Sequence, residues 1–272
     1  MSESEQHDAS LAELDMPADS LEQIDLTAVV NYISFRVPIL RNAITAFLRS
    51  VGPLFYSYTR EKVDEVLNRI SQAPTQALAS ASMCEICSLT TIGSQYARQH
   101  MPPEWEIQIH IVAKSTLKSC IDEAPLRAMK VHTLLALYNI NKDTAVASAH
   151  VESGVGLANK LGLHSDDPQR FDPVEWADAK KVWRTLLFCN GWMEPTLGYA
   201  SGWRNLSEGF KRFSIEDMEN ENNLDSEDSV QVEIMKVIKW KANFLHDIAY
   251  EPSSVDPIHN IGGKRTMCIF SI

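Results

Sequence analysis

The sequence predicts an all-α protein, a multi-helical domain of antiparallel packed helices, and three observations point there. Apolar residues recur at three- and four-residue steps through most of the chain, the period that gathers them on one helix face. Alternating β-branched runs punctuated by tight-turn pairs, the mark of strands, do not occur. The segment Phe171-Asp172-Pro173-Val174-Glu175-Trp176 carries a complete helix-start signal.

Residues 1–25 alternate acids with isolated leucines (Leu11, Leu14, Leu21) and read as a disordered acidic tail. Residues 26–250 form the helical domain. Leu40, Ile44, Phe47, Leu48 and Val51 make its first sustained stripe, which Gly52-Pro53 stops. Val63, Val66, Leu67 and Ile70 repeat the pattern before Pro74. Ala77, Ala81, Cys84, Ser88 and Ile92 predict a small-residue helix that neighbours can approach closely. Trp105, Ile109, Val112, Leu117 and Cys120 follow, and then Leu126, Met129, Leu134, Leu137 and Tyr138, ending near Asn139-Ile140-Asn141.

Ala147, Val151, Gly154, Ala158 and Leu161 form the next stripe, with Gly162 just past its end, where a left-handed cap costs glycine least. In the helix after it Asp172 is the N-cap, Pro173 the first helical residue and Glu175 the third, while Phe171 and Trp176 make a hydrophobic staple. Its stripe runs Trp176, Ala179, Trp183, Leu186, Asn190 and Met193, and Pro195 and Gly198 are expected to end it. Residues 215–229, acidic and asparagine-rich, read as a linker or surface loop. Val230, Ile234, Val237, Ile238, Phe244, Leu245 and Ile248 mark a last helix, and residues 251–272 an irregular tail.

With 272 residues the chain can bury roughly three quarters of its unfolded surface, so it needs no covalent staples. Five irregularly spaced cysteines without a secretory leader predict buried free thiols in a reducing compartment. The acidic start fits neither a signal nor a transit peptide, and no apolar run is long enough to span a bilayer, so a soluble protein without membrane partners is expected. A net charge of −11 repels phosphate backbones, which argues against direct nucleic-acid binding.

Each constellation that could carry chemistry has a simpler reading. Cys84-Glu85-Ile86-Cys87 is a lone Cys-x-x-Cys without the further ligands a zinc site needs or the strand a redox pair would follow, so core packing is its reading. Asp166-Asp167-Pro168-Gln169-Arg170 lacks the further carboxylate of a magnesium motif, and its proline indicates a loop. Gly154-Val155-Gly156 follows no strand, so helix packing explains it better than a dinucleotide fingerprint. His164 sits where a cation meets terminal carbonyls. Lys180-Lys181 reads as a solvated face, Lys264-Arg265 is too short for a nuclear address, and Cys268 stands too far from the end for prenylation. No catalytic, cofactor-binding or metal-binding residue is assigned, and no enzyme is expected.

Two linked segments carry a family resemblance. Val131-His132-Thr133-Leu134-Leu135-Ala136-Leu137-Tyr138-Asn139, then Ala147 to Ala158 and Leu161-Gly162-Leu163-His164, resembles the middle homology region of fungal zinc-cluster transcription factors. Lys180-Lys181-Val182-Trp183 is similar to the basic-aromatic start of that family's next helix, and Phe47 to Phe55 and Met83 to Tyr96 are similar to its upstream segments. Asn190-Gly191 stands where the family has Asp-Arg, and Gly198-Tyr199-Ala200 where it has Gly-Arg-Pro. The six-cysteine zinc cluster that usually opens such proteins is missing, and the tail is shorter, as in a truncated, spliced or degenerate relative. The resemblance implies a nuclear transcription regulator without its own DNA-binding module. It would act by binding other proteins, through dimerisation with related factors or co-regulators, or by binding a small effector. A generic helical interaction scaffold is the alternative.

Overall fold

The structure, a computed structural model, describes residues 36–72, 80–97, 101–164 and 171–197, with Val29, Ile33, Val230, residues 232–237, Lys239 and Trp240. It is all-α, with no strand among the described residues. The helices with defined bounds are α1 (Val37–Ser50), α2 (Arg60–Gln72), α3 (Ser80–Ser94), α4 (Pro103–Glu123), α5 (Pro125–Asn139), α6 (Thr144–Lys160) and α7 (Pro173–Leu197). The tails 1–25 and 251–272, the 215–229 segment, Pro74, Ala77, Asp166 to Arg170, Gly198 to Ala200, Ile238, Phe244, Leu245 and Ile248 lie outside the described residues.

The punctuation follows the sequence closely. Proline opens α4 at Pro103 and α5 at Pro125, where the missing N–H would have had no helical partner. Gly162, at φ 79°, is the one described residue in the left-handed region. Its N–H donates to the Asn159 carbonyl at 3.0 Å, and the Leu163 N–H to the Ala158 carbonyl at 3.0 Å, the paired bonds of a Schellman cap. Leu163 and Ala158 are buried beneath it. The carboxylate of Asp172 accepts from the Val174 and Glu175 N–H groups at 2.9 and 3.0 Å, and Phe171 stacks on Trp176 with ring centroids 5.8 Å apart. Asp143 caps α6 in the same way, accepting from Ala145 and Val146 at 3.1 Å.

Two helices form the centre. α3 packs most extensively on α4, and α5 on α6, while α1 and α5 cover further sides of α3 and α7 covers α6. Every residue from Ala81 to Ser94 on α3 and from Ala128 to Asn139 on α5 is buried. The stripes assigned to these helices are therefore too narrow, because each meets neighbours on all sides. Several of their polar side chains bond to their own backbones: Ser88 donates to the Cys84 carbonyl at 2.8 Å, Thr91 to Cys87 at 2.7 Å and Asn139 to Leu135 at 2.8 Å.

The close approach expected of α3 occurs at Gly93, where an added Cβ would stand 2.6 Å from the carbonyl carbon and oxygen of Ala43 on α1. Gly154 likewise brings α6 against Leu186 of α7, so its glycine serves packing. Two expectations need correction. α7 runs through Pro195 to Leu197, the residue before Gly198, rather than stopping at the proline. In the 230–237 segment the buried residues are Val232 and Met235, whereas Val230 and Val237 are exposed. Apolar residues there surround the helix, and the period alone does not choose a face.

Candidate functional site

A cleft of about 850 Å³ opens between α2, the start of α5, the start of α7 and the connection that joins α1 to α2. That connection, residues 51–59, carries Tyr56 and Tyr58. Ser57 between them is buried, and the Tyr56 carbonyl accepts from the Thr185 hydroxyl at 2.9 Å. The segment is thereby strapped to α7.

Two carboxylates organise the cleft, each held by one tyrosine and one cation. Glu85 of α3 accepts from the Tyr58 hydroxyl at 2.8 Å on one oxygen and from Arg127 on the other. Asp178 of α7 accepts from the Tyr56 hydroxyl at 2.6 Å on one oxygen and from Lys130 on the other. Arg127 also donates to the Ser82 hydroxyl at 2.9 Å, and the Lys130 ammonium lies 4.7 Å from the centre of the Tyr58 ring. Burial and the neighbouring Glu85 carboxylate push the Tyr58 phenol well above its ordinary value, so it remains a donor. The hydrogen bond that Arg127 donates to Glu85 raises its guanidinium further.

The arrangement depends on helical spacing. Arg127 and Lys130 are three residues apart on α5, which places them on one face. Asp172, Glu175, Asp178 and Lys181 recur at three-residue steps along α7, and all of them line the cleft. Lys181 sits 5.5 Å from the Tyr56 ring, and Lys180 lies between the Trp176 and Trp183 rings at 4.9 and 5.2 Å. The Lys180-Lys181 pair is therefore half-buried against aromatic faces rather than a solvated face, because Trp176, Trp183 and Tyr56 supply π surfaces within reach.

The cysteines and histidines lie elsewhere. Cys84, Cys87, Cys120 and Cys189 are buried free thiols, as the core-packing reading requires. The hydrogen bond with Cys120 and burial push the Cys84 thiol up, burial alone raises Cys87, and burial takes Cys189 up to about 12. His164 has its Nδ1 buried without a hydrogen-bond partner among the described residues, and the cap beside it is made by backbone groups.

His132 of α5 and His150 of α6 face each other in the core with their Nδ1 atoms 3.2 Å apart. Burial pulls His132 down to about 4 and, with the His132 charge, pulls His150 well below its ordinary value. No group of three or more metal-ligating side chains occurs among the described residues.

None of the cleft's paired residues was assigned a role from sequence. Glu85 was legible only as the middle of the cysteine motif, and Tyr56 and Asp178 meet across 122 residues of chain, which no local pattern encodes. The available clue was a set of charged residues at three-residue spacing on two helices. No family model, curated protein or solved structure matches the chain.

Proposed function

We propose that this protein is a transcription regulator of the fungal zinc-cluster factor type, a regulatory helical domain that works by binding and leaves DNA contact to a partner. The observation that carries the proposal is the cleft. It is large enough for a small molecule, and its two carboxylates tie α3, α5 and α7 to the Tyr56–Tyr58 segment. A ligand seated there would touch four elements at once and bias how they pack, which is how an effector's occupancy becomes visible to a bound protein. The order of the Leu-Leu-x-x-Tyr helix, the Leu161-Gly162-Leu163-His164 turn and the basic-aromatic helix supports the family assignment. The acidic net charge of −11 supports partners that are proteins rather than nucleic acid, and the nucleus as the place of action follows from the family resemblance.

The test is a fungal reporter strain in which the full chain is fused to a heterologous DNA-binding module. Output several-fold away from that of the module alone, with nuclear accumulation of the tagged chain, is the expected result. Unchanged output and nuclear exclusion would retire the proposal in favour of a helical scaffold without a transcriptional role.

A further inference from the structure

On two sides of the cleft, the start of α5 and the first turns of α7 present side chains of opposite sign. On α5, Arg127 gives its Nη2 to Ser82 and Glu85, which leaves the N–H donors of Nη1 and Nε. Lys130 beside it has three donors and spends one on Asp178. This wall therefore has spare donors suited to a carboxylate. Facing it, the first turns of α7 present Asp172, Glu175 and Asp178. Both N-cap bonds of Asp172 fall on Oδ1, so its second oxygen takes neither, and Glu175 is exposed. The Asp172 carboxylate also satisfies the helix-terminal N–H groups that would otherwise disfavour a cation there.

The lining as a whole holds four cations and five carboxylates. A ligand of high net charge of either sign gains little from such a field. An apolar ligand would strip water from these ions without replacing its hydrogen bonds. A dipolar ligand, negative at one end and positive at the other, matches both walls.

We propose that the cleft binds a small zwitterion of the free α-amino-acid type, with its carboxylate on Arg127 and Lys130 and its ammonium on Glu175 and Asp172. Tyr56 and Tyr58 also line the cleft and give the ligand's side chain an aromatic surface. For its regulatory meaning, though not for binding, this rests on the effector reading above.

The test is calorimetric titration of the full chain with each standard L-amino acid, then with the N-acetyl and carboxamide derivatives of any that binds. At least one free amino acid should bind, and each derivative, lacking one charge, should bind about tenfold more weakly or worse. Glu175→Gln, at an exposed position, should weaken binding by a similar factor while changing the melting temperature of the free protein little. Absence of binding by every free amino acid, binding that survives both derivatizations, or indifference to Glu175→Gln would each overturn the proposal. A bound amino acid with a silent reporter leaves the site standing and removes the transcriptional reading. An active reporter with no amino acid bound does the reverse.

Discussion

Glu85 has only 4 % of its side chain exposed, and a carboxylate removed from water costs several kcal/mol unless charge and hydrogen bonds meet it. Tyr58 supplies a hydrogen bond and Arg127 the charge. Arg127→Ala should therefore destabilise the fold by about 3 kcal/mol, read as a lower urea midpoint, whereas Arg127→Lys should recover part of the loss.

His132 is a second buried titratable residue, and burial favours its neutral form, so acid destabilises it in the same direction as a paired carboxylate. Its folded value of about 4 lies below the ordinary 6.5, so between those values the unfolded chain takes up a proton that the folded chain refuses. Stability is complete above pH 6.5 and declines as pH falls towards 4. The slope is about 1.4 kcal/mol per pH unit for one such histidine, and His110, which burial first and then Lys114 also pull to about 4, adds to it. Denaturant titrations at stepped pH should show this decline, and His132→Met should make it shallower while leaving the part due to His110 and His150.

At Gly162 the left-handed backbone makes Gly162→Ala cost about 1 kcal/mol, measurable in the same assay. That glycine and Asp172 were legible because a cap is a local event that spans four residues. Glu85, His132 and Asp178 were not, since their partners come from other helices and a single sequence carries no sign of the pairing.

Among the helices, α3 was recognised as a small-residue element but not as a central one. Its apolar residues do not form one clean face, because there is no solvent side for polar residues to mark. Small side chains are the surviving signal, and Gly93 gives it an energetic meaning. A Cβ there meets backbone atoms of Ala43, which cannot rotate away, whereas one at Gly154 meets the Leu186 methyl groups, which can. Gly93→Ala should thus cost more than Gly154→Ala, by about 1 kcal/mol or more, with the difference visible in thermal melts of the two variants.

The end of α5 at the Asn139-Ile140-Asn141 turn was legible, because the turn is local. Its inward Lys130 and His132 were overlooked, since charged and titratable residues within an apolar pattern are ordinarily assigned to the outside. The four buried thiols spread over α3, α4 and α7 should resist a thiol-reactive dye in native buffer and react fully in denaturant, as colour release will report.

At the scale of the whole molecule, two bonds that hold the Tyr56 segment on α7 span more than a hundred residues. Tyr56 reaches Asp178 over 122 residues and Thr185 over 129, while Arg127 reaches Glu85 over 42. The pair α5 and α6, by contrast, packs together across a short connection. Contacts of short separation form with little loop-closure entropy and early, whereas those that close a hundred residues form late and set the speed of folding. The all-α class and the order of helices were readable because they rest on the first kind. The cleft was not, because it rests on the second. The Tyr56–Tyr58 strap is a clasp whose catch lies on α7: a nascent chain halted before α7 emerges would lack the acidic wall, and any ligand of this cleft would reward only chains that had completed their fold.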